Sequence, residues 1–507
     1  MPATTGVPEA QRSPATADGA AAAGPHPRRW IALAVIAVSQ LMVVLDATIV
    51  NIALPSAKAE LGISDADQQW VITAYTLAFG GLLLLGGRIA DFWGRKRTFI
   101  VGMLGFAAAS ALGGLAFNGE LLFAARALQG AFGALLAPAA LALLTVLFTE
   151  ATERAKAFAV YGAIAGGGSA VGLILGGVLT QYADWRWCLL VNIPVALLAV
   201  ALALPLVPES RATGDTKYDI PGAVVVTLGL TGLVYGFTKA ATDGWDAVAT
   251  LGFIGAGVVL LVIFVLIEHR SAHPLLPLRV VLDRNRGGAF LTSLLIGAGL
   301  FGAFLFLTLY FQIVLGYRPL EAGLASLPVT LGVLIAAATA SQLMPKLGAK
   351  PLMLAGSVFA AAAMLLLTRI EVDSSFVAHL LPAQILLGLG LGFVFVPLSS
   401  LALVGVPEHD AGAASAVLNA TQQVGGSLGT ALLNTFYASA LTTSLAANMT
   451  AAAAQDPAKA AAVQFEALVD GYATAFAWGA GLILVAGVVT AVLVRVRKED
   501  LPAGIPG

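Results

Sequence analysis

The chain has 507 residues, of which 59% are hydrophobic and only 11% are charged, and its 27 Lys and Arg nearly balance its 28 Asp and Glu. Soluble globular proteins carry about 25% charged residues, so this chain must lie largely in lipid. Its single cysteine, Cys188, excludes an intramolecular disulfide, and no Cys and His cluster has the spacing of a metal site. The near-neutral charge gives no basic surface for nucleic acid, and without a GxxxxGK[ST] loop direct ATP hydrolysis is not expected.

In chain order, residues 1–29 are rich in Ala, Pro, Thr and Gly and predict a disordered tail rather than a cleaved signal. A helix that crosses the ~30 Å hydrocarbon layer needs about 20 mostly apolar residues. Such runs predict an all-α integral membrane protein with fourteen spans, at 30–54, 69–89, 97–117, 121–147, 157–181, 187–206, 219–238, 248–268, 289–315, 323–344, 350–370, 377–405, 411–438 and 472–495. An even number of spans places both termini on one side of the membrane.

Basic residues are distributed unevenly over the connections between these spans. Twenty of the 27 lie on the side of the N-terminus, six lie on the opposite side, and Arg126 lies inside a span. By the positive-inside rule we expect both termini in the cytoplasm. Heavy use of Ala, with 18 Arg against nine Lys, suggests a bacterial source, so we expect a multi-pass protein of the bacterial plasma (inner) membrane.

A weak internal repeat relates the two halves of the chain. An offset of 254 sets Gly94 against Gly348, and with a small shift Pro138 falls on Pro397. Such repeats are typical of transporters that move two halves around a central site. The predicted parts are a disordered cytoplasmic tail (1–29), an N-terminal six-helix lobe (30–206), two inserted spans with a cytoplasmic link (207–288), a C-terminal six-helix lobe (289–495) and a cytoplasmic tail (496–507). The longest external loop is predicted at 439–471.

Two charged side chains are predicted deep in the membrane, where an ionisable group is costly and is therefore a functional candidate. Asp46 lies 16 residues past Trp30, about 24 Å from the cytoplasmic side and ~12 Å from the outer end near Leu54. Arg126 lies five residues into a span that enters from outside at Leu121, or about 8 Å deep. Because these depths nearly coincide, we predict that Asp46 and Arg126 carry the proton coupling, with a purely structural ion pair as the alternative.

Five motifs occur in register with the predicted spans. They are LDATIVNIALP at 45–55, GGRIADFWGRKR at 86–97, RALQG at 126–130, WRWCLLVNIP at 185–194 and LGYRPLEAG at 315–323. These motifs resemble those of the fourteen-span drug:proton antiporters of the major facilitator superfamily, and in order they cover almost everything from residue 30 to 495. The resemblance implies a major facilitator fold, with two six-helix lobes plus two inserted spans, and a function in multidrug or antibiotic efflux.

The motif between spans 2 and 3 also has a physical interpretation. Gly86 and Gly94 permit close helix approach, and Asp91 can pair with basic groups or accept from a helix N-terminus. The resemblance implies that Asp91, Gly94 and Arg95 govern a conformational switch at the cytoplasmic mouth, and we place Gly86 and Arg97 in the same switch. The alternative is that the basic residues here only set the topology.

Span 5 contains a stripe of glycines four residues apart, Gly168, Gly172 and Gly176. Such spacing predicts a close-packing face, with a role in gating or in packing alone. The antiporter signature has a proline after the middle glycine, and Leu173 stands in that place here. The prediction of proton-in, substrate-out exchange therefore depends mainly on the other motifs.

Several polar residues within the spans are candidates for lining a substrate cavity, with bonds between helices as the alternative explanation. They are Ser39, Asn51, Gln129, Thr308, Gln312, Asn419 and Gln422. Asp46 is the only deep acid, which argues against export of polyvalent organic cations. We expect no cofactor, no metal and no nucleic acid; the expected partners are a lipophilic small molecule, protons and the lipid bilayer, and the chain is expected to be a monomer.

These features predict a secondary active transporter, not an enzyme, that exports hydrophobic small molecules such as drugs and antibiotics in exchange for protons, by alternating access. Two alternatives stay open: a proton-coupled transporter of one specific metabolite, and a membrane sensor or scaffold on the same fold that moves nothing. The matched depth of Asp46 and Arg126 favours transport, because a buried charge pair is costly to maintain without a function.

Overall fold

The computed structural model of the chain describes residues 28–65, 67–148, 150–211, 219–271, 274–276, 278–406, 408–449 and 455–496. Within these ranges the chain forms helices and no strand, which confirms the predicted all-α fold. The predicted tails at 1–29 and 496–507 lie outside the described residues, except at their inner edges.

In chain order the described residues form α1 (Arg29–Leu61), α2 (Trp70–Trp93), α3 (Arg95–Gly114), α4 (Gly119–Leu147), α5 (Ala151–Tyr182), α6 (Trp187–Leu190), α7 (Asn192–Leu206), α8 (Ile220–Asp243) and α9 (Val248–Arg270). After these come α10 (Leu278–Val281), α11 (Arg284–Leu309), α12 (Pro319–Ala325), α13 (Leu327–Leu347), α14 (Ala349–Leu367), α15 (Leu381–Leu403), α16 (Glu408–Asn448) and α17 (Pro457–Leu493). There are also two π-helical turns: Tyr310–Val314 follows α11, and Phe376–Leu380 precedes α15.

Local sequence explains where several of these helices begin and end. In lipid every backbone polar group needs an internal partner, so apolar runs become helices and polar residues collect at their ends. Asn118 caps α4 by accepting from the backbone nitrogen three residues on, at 2.9 Å. Asp283 caps α11 in the same way, at 3.0 Å. Gly62 directly follows α1 and caps its end, with a φ of 65° in the left-handed region that glycine adopts without strain.

Eleven helices of the described part are long and apolar enough to cross a membrane. Trp70–Leu83 and Leu85–Trp93, which meet at a bend of 53°, make a twelfth if they form one span. Fourteen spans would also require α5 and α16, which have 32 and 41 residues. The number fourteen therefore stays a prediction, whereas a multi-pass membrane protein is what the helices indicate.

The connections differ from the sequence prediction in two places. Most of the segment 439–471, expected as a loop, is helical, because α16 continues to Asn448 and α17 begins at Pro457. Alanine is the strongest helix former, so the end of an apolar run marks where lipid ends and not where the helix ends. The predicted link 269–288 contains a short helix, α10, and α11 begins within this link and not after it. The predicted span 187–206 agrees with the apolar helical run Trp187–Leu206.

The helices pack in two groups joined by a hairpin. The helices α1 to α7 pack mainly on one another, as do α11 to α17. One large hydrophobic core lies almost entirely within the first group. The other combines residues of α11 to α17 with residues of the first group, so it joins the two groups. The inserted hairpin α8–α9 lies against α2 and α16, one helix from each group. The groups also meet directly where α2 contacts α16 and where α5 contacts α12 and α13.

Polar contacts define the two ends of the first group. At one end the start of α1 meets the start of α5 through Arg29 and Glu153, and the start of α3 lies beside them; we call this the Arg95 end. At the other end Trp185, between α5 and α6, donates from Nε1 to Glu60 Oε2 on α1 at 2.7 Å; we call this the Trp185 end. A central cavity between the groups opens toward the first of these ends, as described below.

Candidate functional site

The structure brings Asp46 and Arg126 into direct contact in the interior of the first group. Nη1 of Arg126, on α4, donates to Oδ2 of Asp46, on α1, at 2.6 Å. Each residue is only 1% exposed. A buried ion pair keeps its charges only if further hydrogen bonds satisfy both partners, so the surroundings of the two groups decide what the pair can do.

Two amides complete the shell around the carboxylate. Oδ1 of Asp46 accepts from Nε2 of Gln129 at 2.9 Å and from Nδ2 of Asn192 at 3.0 Å. Both amides also donate to the hydroxyl of Ser110 on α3. Asn192 and Ser110 had no assigned role in the sequence analysis. The available signal was Asn192 as a polar residue within the fourth motif, at the start of an apolar run.

The guanidinium of Arg126 has partners besides Asp46. Its Nε donates to the carbonyl oxygen of Val71 at 3.0 Å, and its Nη1 donates to Oε1 of Gln129 at 2.7 Å. The guanidinium carbon lies 4.5 Å from the ring centroid of Tyr75, a cation–π distance. Carbonyl, amide and aromatic ring together hold the arginine in place.

A cavity of about 1200 Å³ lies between the two helix groups. It extends from Arg126, at mid-depth, to Asp91 and Arg95 at the Arg95 end. Arg126 borders this cavity, whereas Asp46 lies behind it and does not. The arginine therefore touches both the carboxylate and the space that a ligand would occupy.

The cavity wall combines aromatic rings with amides. The aromatic residues are Tyr75, Phe79, Tyr161, Phe301, Phe304 and Phe395, and the amides are Gln40, Asn51, Asn419, Gln422 and Gln423. Of the residues expected from the sequence to line a cavity, Asn51, Thr308, Asn419 and Gln422 do so. Gln40, a polar residue within an apolar span, was not among the predicted cavity residues; Tyr161 donates to its Oε1 at 2.5 Å.

Three of the expected cavity residues lie elsewhere. Ser39 is fully buried and donates to the carbonyl oxygen of Ile36 on its own helix at 2.6 Å. Gln129 belongs to the shell of Asp46. Gln312 lies toward the Trp185 end, where its amide donates to the carbonyl oxygen of Ile52 across the two groups at 3.0 Å. The sequence predicted that these polar residues lie inside the membrane spans, but it did not determine which space each side chain faces.

Close backbone contacts seal the cavity at the Trp185 end. A Cβ added to Gly177 on α5 would lie 2.5 Å from Cα of Leu320 on α12. A Cβ added to Gly323 on α12 would lie 2.4 Å from the carbonyl oxygen of Leu173. Side chains cannot fit at such distances, so glycine is required where the two groups meet here.

The predicted glycine stripe of span 5 faces a different neighbour. Cβ atoms added at Gly168, Gly172 and Gly176 would lie 3.1, 1.9 and 2.8 Å from side chains of α1. The stripe therefore packs α5 on α1, within one group. Leu173 and Gly177, on the neighbouring face, are among the residues of α5 that meet the second group.

The motif between α2 and α3 forms contacts within the first group. Asp91 accepts from Nη2 of Arg95 at 2.9 Å and from its Nε at 3.2 Å. Gly94 has a φ of 125°, and a Cβ there would lie 2.7 Å from Oε1 of Glu209, which follows α7. Arg97 approaches the same Glu209 at 3.6 Å.

Gly86 lies earlier on α2, where a Cβ would lie 2.0 Å from the carbonyl oxygen of Ala134 on α4. This glycine therefore permits the close packing of α2 on α4, as its motif predicted. Asp91 and Arg95 also border the cavity, so the predicted switch residues lie at its mouth.

A two-pronged ion pair closes the same end of the group. Arg29 donates from Nε and Nη2 to the two carboxylate oxygens of Glu153 at 2.8 and 2.7 Å. These hydrogen bonds hold the pKa of the Glu153 carboxyl below its usual range. Glu153 therefore stays ionised at neutral pH and ties the start of α5 to the start of α1.

A family profile described as Major Facilitator Superfamily matches residues 36–430. The chain is 51% identical over 486 residues to the puromycin resistance protein pur8 of Streptomyces alboniger, which covers 95% of this chain and 94% of the relative. It is 39% identical to the cephamycin export protein CmcT of Amycolatopsis lactamdurans, covering 80% and 84%. It is 34% identical to the multidrug efflux pump LfrA of Mycolicibacterium smegmatis, covering 81% of each.

Solved structures share the fold at low sequence identity. A bacterial homologue of the human lysosomal transporter Spinster, inward-facing and occupied, superposes with a TM-score of 0.67 at 14% identity, covering 94% of this chain and 99% of that chain. A peptide transporter POT in complex with sulfate gives 0.63 at 14% identity, covering 92% and 94%. These superpositions confirm the fold that the sequence motifs implied.

Proposed function

Because the chain belongs to the major facilitator superfamily, we propose that it is a secondary active transporter that exports hydrophobic small molecules, antibiotics among them, in exchange for protons. Relatives named for puromycin resistance, cephamycin export and multidrug efflux support this substrate class. The observation that carries the proton coupling is the pair Asp46–Arg126. Among the described residues it is the one ion pair with both side chains fully buried, and it borders the central cavity.

The transporter is a multi-pass membrane protein, and we place it in the bacterial plasma membrane with both termini in the cytoplasm. The excess of Lys and Arg on one side of the spans supports this orientation. It makes the Arg95 end cytoplasmic and the Trp185 end external. The cavity then opens to the cytoplasm and is closed outside, which is the inward-open arrangement of an exporter about to take up its substrate.

The chemistry of the cavity fits lipophilic compounds that carry a few hydrogen-bonding groups. Drug-sized ligands occupy pockets of about 300–1,000 Å³ that are mostly apolar with a few polar groups. The aromatic rings supply apolar surface, and Asn51, Asn419 and Gln422 supply hydrogen bonds. Among the described residues that line the cavity Asp91, at the mouth, is the one acid, so the wall suits neutral, zwitterionic, anionic or monocationic substrates.

Export proceeds by alternating access of this cavity to the two sides of the membrane. Substrate entering from the cytoplasm contacts Arg126, which also holds the carboxylate of Asp46. When the Trp185 end opens, Asp46 takes up a proton from outside, because a weakened contact with Arg126 favours the neutral acid. The return to the inward-open arrangement releases that proton to the cytoplasm. The transporter acts as a monomer and needs no covalent chemistry or cofactor for this cycle.

Asp46→Asn tests the proposal. The substitution keeps the size of the side chain and removes the titrating proton. Transport driven by a pH gradient across the proteoliposome membrane should therefore collapse. Exchange of labelled for unlabelled substrate, which needs no net proton movement, should persist. Asp373→Asn, which neutralises an exposed carboxylate of the second half, is the matched control and should export like wild type.

Full pH-driven export by Asp46→Asn would show that the proton carrier is another group. The substrate range needs a separate experiment, in which expressing cells grow in the presence of a panel of lipophilic antibiotics. Protection against several unrelated compounds supports multidrug export. Protection against one compound would indicate a specific transporter, and protection against none would favour the sensor alternative.

A further inference from the structure

The hydrogen bonds around Asp46 follow a one-directional pattern. Its carboxylate accepts three hydrogen bonds, from Arg126 at 2.6 Å, Gln129 at 2.9 Å and Asn192 at 3.0 Å. Each amide nitrogen has two hydrogens, and both amides give one to Asp46 and one to Ser110. All of these donors point at acceptors, so the shell matches an ionised carboxylate, which accepts only.

A protonated Asp46 does not fit this shell. The neutral acid carries a hydrogen, and the groups that face its oxygens are a guanidinium and two amide nitrogens, all of which are donors. Uptake of a proton adds a hydrogen that none of these three groups accepts and removes the charge that strengthens their bonds, so at least one of the three contacts weakens. The donor with the fewest other bonds is the one whose movement costs least.

Arg126 and Gln129 are anchored by further contacts. Arg126 donates to the carbonyl oxygen of Val71, and Oε1 of Gln129 accepts from Arg126. Both side chains come from α4 and move only with that helix. Among the described residues the side chain of Asn192 bonds to Asp46 and Ser110 alone, both through Nδ2.

The backbone around Asn192 also permits movement. Asn192 lies near the start of the apolar helical run Trp187–Leu206, directly after Val191, whose φ of −60° and ψ of −24° are helical. Two residues later Pro194 has no backbone N–H to donate, so the first turn of α7 is held by fewer hydrogen bonds than a helix interior. The same helix packs on α1 and α3, which carry Asp46 and Ser110.

We propose that Asn192 is the positioning residue that reports the protonation state of Asp46: its amide holds the ionised carboxylate, and it is released with the start of α7 when Asp46 binds a proton. This role rests on the proposed proton coupling at Asp46. The other groups that interact electrostatically with Asp46 are Arg126 on α4, Tyr75 on α2 and Cys188 on α6. Phenol and thiol are neutral near pH 7, so Arg126 and the two amides set the balance.

The pH profile of transport in proteoliposomes tests the role. Asn192→Ala removes one donor to the carboxylate, so Asp46 should bind its proton more readily and the midpoint should move to higher pH by about one unit, or roughly tenfold in proton affinity. Asn192→Asp sets a second carboxylate beside the first and should move the midpoint further, because like charges share a proton. A longer amide, Asn192→Gln, still donates to the carboxylate, so its midpoint should lie between those of Asn192→Ala and wild type.

Ser110→Ala removes the anchor of both amides and should move the midpoint in the same direction by less. Its matched control is Ser357→Ala, a buried serine of α14, which bonds only within its own helix and should leave the midpoint in place. If any variant transports too little to measure, the infrared band of the protonated carboxylic acid in the purified protein gives the same midpoint. That band is identified by its absence in Asp46→Asn.

The outcomes separate this inference from the proposed function. If Asp46→Asn uncouples export and Asn192→Ala moves the midpoint to higher pH, the inference holds. If Asp46→Asn uncouples export but Asn192→Ala and Asn192→Asp leave the midpoint unchanged, with or without a loss of folded protein, Asn192 is structural and the inference is wrong. If Asp46→Asn retains coupled export, the proposed function fails first.

Discussion

Asp46 and Arg126 occupy α1 and α4 of the first half, and neutral residues stand at the corresponding places of the second half. The repeat offset of 254 places Leu300 opposite Asp46. On α15 Gln384 lies 13 residues before Pro397, whereas Arg126 lies 12 residues before Pro138 on α4. One packing plan therefore holds a buried charge pair in one half and uncharged side chains in the other.

The second half replaces charge with a cluster of buried rings. Phe306, Tyr437 and Tyr472 lie with ring centroids 5.2 to 6.0 Å apart, and Tyr310 stands edge-on to Tyr472 at 6.3 Å. Aromatic packing of this kind is unaffected by protons and resists deformation. The difference indicates a division of work, in which the first half changes shape with its proton and the second half provides a fixed surface to move against.

The largest expected effect comes from breaking the charge pair. Arg126→Ala leaves the Asp46 carboxylate buried without its cation and should cost about 3 kcal/mol of stability. Gln384→Leu should be neutral or stabilising, because both polar atoms of its amide lack hydrogen-bond partners among the described residues. Thermal unfolding of the two purified variants in detergent measures the difference, and Asp46→Asn combined with Arg126→Gln should recover most of the loss.

Transport separates the two positions as well. Coupled export by Arg126→Ala should need a higher pH, since loss of a positive neighbour favours the neutral acid, and Arg126→Lys should restore it only in part. Gln384→Leu should keep the wild-type profile. If Gln384→Leu abolishes export, or if Arg126→Ala leaves the pH profile unshifted, the proposed division of work is wrong.

The sequence predicted the charged site better than the surfaces around it. Counting residues along each predicted span placed Asp46 and Arg126 at similar depths, because the rise of a helix per residue is constant. Both residues stood out because charges are rare in lipid. The same counting did not reveal Asn192, whose role depends on how α7 lies against α1 and α3. For the same reason the stripe containing Gly172 was found from its spacing, while its partner helix was not. Contact between elements depends on rotation about each helix axis, which spacing alone leaves open.

Contacts between the halves should give the next largest effect. Gly323→Ala places a Cβ where the carbonyl oxygen of Leu173 now lies, so the Trp185 end cannot close as it does here. We expect the balance to shift about tenfold toward the outward-open form. A thiol-reactive probe on a cysteine introduced at this end measures the shift, in a background with Cys188 replaced.

Gly168→Ala is the matched control for this gate. A Cβ there would lie 3.1 Å from the flexible side chains of Leu41 and Val44, within the first half, so this variant should label like wild type. Equal labelling of Gly323→Ala and Gly168→Ala would mean that the contact between α5 and α12 does not control closure.

The switch motif should have a smaller effect, confined to the first half. Asp91→Asn removes the charge that Arg95 binds at 2.9 Å. Turnover should slow about twofold to fivefold while equilibrium substrate binding holds, because a surface ion pair is worth up to about 1 kcal/mol. The repeat offset places Pro345 opposite Asp91, and Pro345→Ala should change neither quantity. Transport rates and binding affinities in parallel provide the measurement. A large loss of binding in Asp91→Asn would instead place Asp91 at the substrate.

The two halves also differ in how their helix ends are tied at the Arg95 end. The first half uses acid–base pairs, of which Arg29–Glu153 is the closest to a two-pronged geometry. The second half uses basic side chains that donate to backbone carbonyl oxygens, from Arg284 to Val492 at 2.8 Å and from Lys350 to Ala491 at 2.6 Å. Glu153 titrates in acid, whereas these arginine and lysine side chains of the second half do not.

Acidification should therefore loosen the tie between the starts of α1 and α5. The hydrogen bonds from Arg29 lower the pKa of Glu153 from its ordinary value of 4.5, so the pair contributes its stability above that value and loses it as the pH falls through the lowered pKa. At pH 7, backbone hydrogen exchange at the starts of α1 and α5 should be slower in wild type than in Glu153→Gln. As the pH falls through the lowered pKa of Glu153 that difference should shrink, because wild type then carries the neutral side chain as well. Exchange at the start of α11 should be the same in both proteins at each pH, which controls for global unfolding. A difference between wild type and Glu153→Gln that persists undiminished in acid would mean that Glu153 acts through packing and not through its charge.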